Sequence, residues 1–256
     1  MKRLKFLEIP LAILYYTGIA FLIETLISRK DAFLILCYHK IGHIKDIPPG
    51  YSISKELFED QIKFINKNCN IVQFSDIDRV RKSRKQNVII TFDDGWKNNY
   101  TNAFSLIKKY NIPVYIFLVS DFINSRYFLN WDQIFEMKKS GLIIFGNHTK
   151  NHLSLKTLGC DEIKSQILDA NKELKKKLDN VEYFSYPNGH FDNRVVKIVK
   201  DAGFKYGFTI IEGINDRDSN PFLLKRISIY DLNIQTRFLL KYPNLTYKIR
   251  SWYQKK

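Results

Sequence analysis

Cysteine is scarce, with only Cys37, Cys69 and Cys160 among 256 residues. Their spacing makes neither a zinc knuckle nor a disulfide framework, so sulfur does not organise this chain. Cys37 lies in an apolar run and reads as a small core residue. Glycine and proline, at 11 and 7, are not enriched. With no repeat and no low-complexity tract, collagen-like, solenoid and disordered classes are excluded. Histidine is rare too, at five residues, so two close together carry weight. Acids are outnumbered: 26 Asp and Glu face 41 Lys and Arg, for a formal net charge of +15. Such an excess suits an anionic surface, whether nucleic acid, acidic polymer or lipid. The lysines are scattered over helix exteriors, with no recognition helix or RNA-binding platform, which argues against nucleic acid.

What is present is enough for a packed core. Apolar residues make up 45% and charged residues 26% of the chain, and its length suits one large α/β domain. Three regions are expected. Residues 1–30 hold a mostly apolar run, Ile9 to Ile27, flanked by Lys2, Arg3 and Lys5 before and by Arg29 and Lys30 after. The run predicts a membrane-associated hydrophobic helix, spanning the bilayer or lying in its plane. Glu24 within it and basic residues at both ends leave the orientation open, and no small-x-small cleavage site follows. Residues 31–232 are expected to form the main folded domain. Residues 233–256 form a tail without acids, in which Arg237, Lys241, Lys248 and Arg250 interleave with Phe238, Tyr242, Tyr247 and Trp252. Such a tail suits a lipid headgroup surface or packing on the domain.

Within the domain, short apolar runs alternate with amphipathic segments. Strands are expected at Phe33–Tyr38, Val88–Phe92, Val114–Val119, Leu142–Phe145, Val181–Tyr186, Phe208–Ile211 and Leu224–Ile229. Helices are expected at Lys55–Asn66 behind Ser54, through Leu106, at Trp131–Lys139 and at Asp161–Leu178. The alternation predicts parallel βαβ units in a barrel or doubly wound sheet.

In such folds chemistry gathers where strands end. Thr91-Phe92-Asp93-Asp94-Gly95-Trp96 places two adjacent carboxylates after an apolar strand. Neighbouring side chains there point different ways, so one Asp can bind a metal while the other faces a substrate. In Gly146-Asn147-His148-Thr149-Lys150-Asn151-His152, two His four apart can share a helical face and one metal. Asp plus two His leaves a tetrahedral metal an open position for water, as hydrolysis requires. The third cluster, Phe184-Ser185-Tyr186-Pro187-Asn188-Gly189-His190, reads as a strand running into a turn.

Together these motifs resemble the polysaccharide deacetylase family, whose catalytic unit is the NodB homology domain (carbohydrate esterase family 4). The resemblance covers about residues 32 to 230 and rests on T-F-D-D-G-W, H-T-x-x-H and F-S-Y-P-N-G. Leu36-Cys37-Tyr38-His39-Lys40-Ile41 is similar to the Y-H element of the branch that includes poly-N-acetylglucosamine deacetylases. The resemblance implies a distorted (β/α) barrel and metal-dependent removal of N-acetyl groups from a polysaccharide or lipid-linked glycan. By position, Asp94, His148 and His152 resemble the metal ligands and Asp93 the general base. The backbone N–H near Asn188, in the turn with Tyr186 and Pro187, resembles an oxyanion donor. The implied cofactor is one divalent metal: the N/O donor set suits Zn2+, with Co2+, Ni2+ or Fe2+ also able to serve.

Two departures from the commoner pattern matter. Many relatives draw the acid for the leaving amine from a C-terminal L-x-H-D element, but no His follows His190. In the Y-H branch the acid resembles His39 instead. The commoner third motif also carries an Arg near its Pro, where this chain has Phe184 and Ser185, and Arg226 is the candidate to orient Asp93 in its place. The expected partners are an N-acetylated glycan and a membrane surface, in a bacterial envelope, with no nucleic acid. A competing reading keeps the fold and drops the chemistry, as a catalytically silent glycan-binding protein. It predicts loss of Asp93 or a His, and neither is lost.

Overall fold

The computed structural model describes residues 32–47, 50–79 and 85–229. The expected N-terminal helix and C-terminal tail lie outside these residues. Among those described, no helix is long and apolar enough to cross a membrane.

Among the described residues, ten strands and five α-helices alternate. They are β1 (Phe33–Tyr38), β2 (Lys40–Ile41), β3 (Ser52–Ile53), α1 (Lys55–Asn68), β4 (Cys69–Ile71), β5 (Gln86–Phe92), α2 (Phe104–Tyr110), β6 (Val114–Leu118), α3 (Trp131–Lys139), β7 (Ile143–Asn147), α4 (Cys160–Leu178), β8 (Tyr183–Ser185), α5 (Asn193–Asp201), β9 (Tyr206–Phe208) and β10 (Ile227–Ser228). The helices begin where side chains satisfy free N–H groups. The Ser54 hydroxyl accepts from Leu57 N–H, Asn130 and Gln133 form a capping box, and Asp192 accepts from Arg194 and Val195 N–H. α5 was not expected from the sequence.

The main sheet is parallel throughout, in the order β10-β1-β5-β6-β7-β8-β9, with β4 paired to the start of β5. It curls into an α/β half-barrel. The stretch from Leu224 to Ser228 meets both ends: Leu224 bridges Phe208 beside β9, and Ile227 pairs with Leu36 of β1. β9 stops earlier than expected, at Phe208. Thr209 Oγ1 donates to the Leu224 carbonyl and accepts from Ile211 N–H, which turns the chain and leaves Ile210 and Ile211 exposed.

Strand alternation sorts the side chains. Leu34, Leu36, Val88, Ile90, Phe92, Val114, Ile116 and Leu118 face outward into the core shared with the helices. Phe33, Ile35, Ile89, Tyr115, Phe117, Phe208 and Leu224 face inward and fill the curl of the sheet. Gly146 belongs to the inward set, and a Cβ there would come within 2.6 Å of Phe117 and 2.8 Å of the Tyr183 carbonyl. Continuing the inward parity one or two rungs towards the C-terminal edge gives Cys37, Thr91, Asp93, His148, Ser185 and Arg226. The apolar filling therefore ends in a polar layer.

Candidate metal centre and its carboxylate partner

β5 delivers the two carboxylates. The Asp93 N–H extends the ladder by donating to the Tyr38 carbonyl at 2.9 Å. Asp94 and Gly95 then both take φ of +72°, a turn that glycine makes freely and Asp at a cost. This turn sends Asp93 inward and Asp94 across the sheet edge. Asp94 Oδ2 accepts from the Trp96 indole N–H at 2.8 Å. The indole is held on both faces: Phe128 stacks on it at 4.4 Å, and the Lys40 ammonium lies 5.2 Å from its ring centre. Asp94 Oδ1 is buried and has no hydrogen-bond partner. His148 Nε2 lies 3.5 Å from it and His152 Nε2 3.4 Å.

The two His do not share a helical face, because residues 148–154 form a loop. The loop is built by side chains. Asn147 Oδ1 accepts from Thr149 N–H at 2.7 Å, and Thr149 Oγ1 accepts from His152 N–H at 3.2 Å. Thr149 and His152 sit at φ of +69° and +63°, strained backbone of the kind found at functional sites. The result brings the two imidazoles to 4.8 Å between centroids. His148 is locked in one tautomer. Its Nδ1 lies 2.8 Å from the Ser185 carbonyl, which can only accept, so Nδ1 carries the proton and Nε2 presents its lone pair.

The electrostatics suit a cation. Burial raises the Asp94 carboxyl, but the close approach of His148 and the neighbouring His39 and His152 outweigh it and bring its pKa to about 2. Burial and then His148 pull His152 down to about 4. For His148, burial is outweighed by Asp93 and Asp94, so its pKa is raised. Asp94, His148 and His152 thus offer one carboxylate oxygen and two imidazole nitrogens, all within 4.8 Å of one another. An unpartnered anionic oxygen facing the His148 lone pair, with the His152 nitrogen 3.4 Å away, is an arrangement that a cation between them would satisfy. The residues present fit a divalent ion.

Asp93 is buried beside this centre and is held by three side chains. Arg226 Nη1 donates to Oδ1 and Nη2 to Oδ2, both at 2.7 Å. The Ser185 hydroxyl donates to Oδ2 at 3.2 Å, and the Cys37 thiol lies 3.7 Å from the same atom. Arg226 also donates from Nε to the Thr209 carbonyl, from Nη1 to Thr91 Oγ1 and from Nη2 to Ser185 Oγ. All five of its N–H groups are therefore used. Below it lie the inward-facing rings of Phe117 and Phe208, 5.7 and 5.9 Å away. Burial opposes the charge on Asp93, but the Arg226 guanidinium holds its carboxyl far below the usual range.

His39 follows β1 and lies beside Asp93. Its ring stacks on Tyr51 at 4.9 Å, and one of its nitrogens, the Cys37 thiol and an Asp93 oxygen all fall within 4.8 Å of one another. Burial lowers its pKa, against the pull of Asp94 and Asp93. Three asparagines in the helical turns that lead into α2 grip the backbone around it. Asn99, Asn102 and Asn98 donate to the carbonyls of His39, Ile41 and Gly42 at 2.7, 2.6 and 3.2 Å.

The turn after β8 is narrower in what it offers than the sequence suggests. Tyr186 is buried, its hydroxyl donates to the Phe222 carbonyl and its N–H to the Phe208 carbonyl. Pro187 has no N–H. That leaves Asn188, exposed and at φ of +54°, as the member of the three whose N–H has no acceptor among the described residues. His190 hydrogen-bonds Ser154 at 2.9 Å, which ties this turn to the loop of His152.

The family model described as polysaccharide deacetylase matches residues 80–207. The poly-β-1,6-N-acetyl-D-glucosamine N-deacetylase of Staphylococcus aureus is 32% identical over 223 residues, covering 79% of this chain and 76% of that protein. The chain belongs to the polysaccharide deacetylase family. It is thereby a hydrolase of the carbohydrate-deacetylase class. Among solved structures it is similar to the Streptococcus pyogenes deacetylase PplD in complex with acetate, at 25% identity and TM-score 0.71, over 77% of this chain and 92% of that one. IcaB from Ammonifex degensii shares the fold, at 24% identity and TM-score 0.74, over 83% and 97%.

Within this family member, sequence reasoning overlooks several residues that shape the site. Trp96 orients Asp94, Ser185 touches Asp93, Arg226 and His148, and Cys37 is not simply core filling. The signal for Cys37 and Ser185 is strand parity, since both lie on the inward face, one rung beyond apolar or aromatic residues. Nothing local in the sequence distinguishes Asn98, Asn99 and Asn102 from an ordinary polar helix start.

Proposed function

We propose that the chain is a metal-dependent hydrolase that removes N-acetyl groups from a polysaccharide or lipid-linked glycan, such as poly-N-acetylglucosamine. The observation that carries this reading is Asp94 Oδ1, buried without a partner and faced by two imidazole nitrogens at 3.4 and 3.5 Å. Asp94, His148 and His152 would hold one divalent ion, with Zn2+ favoured by the donor set. When bound, that ion polarises the acyl carbonyl and acidifies a water.

The protein's own groups supply the remaining steps. Asp93 receives the proton of the attacking water. Its Oδ2, 3.9 Å from His148 Nε2, is the oxygen turned towards the metal ligands. Arg226 keeps that carboxylate ionised and fixed in plane, so it is ready without reorganisation. The Asn188 N–H, which has no acceptor among the described residues, would donate to the oxyanion that forms at the acyl carbon. His39 gives its proton to the departing amine. Burial makes it a readier donor, while Asp93 and Asp94 favour its charged form. The apolar run from Ile9 to Ile27, flanked by basic residues, supports a place at the membrane of a bacterial envelope. Protease protection in intact cells would report the side.

The test is acetate release by the purified chain from N-acetylglucosamine oligomers, with zinc, with chelator, and with Asp93→Asn. Metal-dependent release abolished in the variant is the expected result. A chain that binds no metal would overturn the reading.

A further inference from the structure

We propose that Ser185 is a positioning residue that ties the base to the metal ligands, an inference that rests on the roles proposed for Asp93 and His148. Its two oxygens serve the two halves of the site. The hydroxyl lies between Arg226 Nη2, at 2.9 Å, and Asp93 Oδ2, at 3.2 Å. A guanidinium only donates and a carboxylate only accepts, so the hydroxyl proton has one direction available, towards Asp93. Arg226, Ser185 and Asp93 thus close a ring in which every donor meets an acceptor. The backbone carbonyl of the same residue takes the His148 Nδ1 proton at 2.8 Å and thereby aims Nε2 at Asp94. No other described residue contacts both Asp93 and His148 through hydrogen bonds of its own.

The placement is rigid. Ser185 is fully buried at the end of β8, paired with Phe208 of β9. It stands on the inward face one rung above Tyr183, so its hydroxyl enters the polar layer. The donors on Asp93 are also uneven. Oδ1 receives one hydrogen bond, from Arg226, whereas Oδ2 receives Arg226, Ser185 and the more distant Cys37 thiol. Ser185 therefore braces the oxygen nearer His148 and sets its distance from the ligand centre. A displacement of about 1 Å there is enough to cost about 10²-fold in rate.

The hydroxyl and carbonyl roles separate experimentally. Ser185→Ala removes the hydroxyl and keeps the carbonyl. We expect kcat for acetate release to fall at least about tenfold, with KM within about twofold and the affinity for zinc, read by chelator competition, unchanged. Ser185→Thr restores a hydroxyl and should recover most of the rate. Should its extra methyl prevent folding in a thermal melt, Ser185→Cys, which keeps a weaker donor, should recover part. Asp93→Asn is measured alongside. Wild-type kcat in Ser185→Ala with an inactive Asp93→Asn would overturn the positioning role alone. So would a rate loss that neither Thr nor Cys recovers. Full activity in Asp93→Asn would instead overturn the base assignment beneath it.

Discussion

Arg226 and Asp93 meet through two parallel hydrogen bonds of 2.7 Å although 133 positions separate them in the chain. Both are buried, so neither charge has water as an alternative partner. Arg226→Ala strands the Asp93 carboxylate and should cost about 3–5 kcal/mol of stability, read as a lower unfolding midpoint in urea. Arg226→Lys keeps the charge, but a point-like ammonium cannot make the fork or fill five bonds. It should fold and lose about 10²-fold in kcat. Unchanged kcat in the Lys variant would refute the orienting role.

Trp96 acts on the proposed metal ligand through one hydrogen bond. Trp96→Phe retains a ring for Phe128 and Lys40 to pack against and removes the N–H that Asp94 Oδ2 accepts. Losing such an outer partner should weaken metal affinity about 10–100-fold. Competition against a coloured chelator measures this directly, and equal affinity would show that the indole only fills space.

His39→Ala should lower the rate by about 10² or more if His39 protonates the leaving amine. A loss below about tenfold would remove that assignment. Tyr51→Ala takes away the ring stacked on His39 and should give a smaller loss of the same kind.

Metal retention should depend on pH with a definite sign. Protons and metal compete for the same Nε2 lone pairs. His148 has a raised pKa, so it takes up the first proton as pH falls, and metal affinity drops about tenfold per unit below that point. His152 stays neutral down to about 4, where a second proton steepens the loss. Equilibrium dialysis across this range would show a slope of one and then two. A flat profile from neutrality to about pH 5 would contradict the ligand set.

Elements with a strong local signal were readable from the residues. β1 is an unbroken apolar run and α3 has a capping box, and both occupy the residues expected of them. The acidic pair and the two His were readable because each lies within one short motif. Their geometry was not. The spacing of His148 and His152 fits a helix, but Asn147 and Thr149 side chains close a loop that propensity does not report. α5 was missed because its nine residues depend on the Asp192 cap and on burying Val195 and Val199. Ser185 and Trp96 matter through contacts made only after the sheet curls. The expected end regions lie outside the described residues.

The stretch from Leu224 to Ser228 has a consequence for the order in which the enzyme becomes competent. During synthesis Asp94, His148 and His152 all leave the ribosome before Arg226, so the proposed ligands are present in a nascent chain while Asp93 still lacks its counter-ion. Only when this stretch slots between β9 and β1 does the guanidinium arrive. The same event that seals the sheet thus switches on the proposed base. On the proposed roles, a chain ending before Arg226 would keep its three candidate ligands and lack the partner that holds its base.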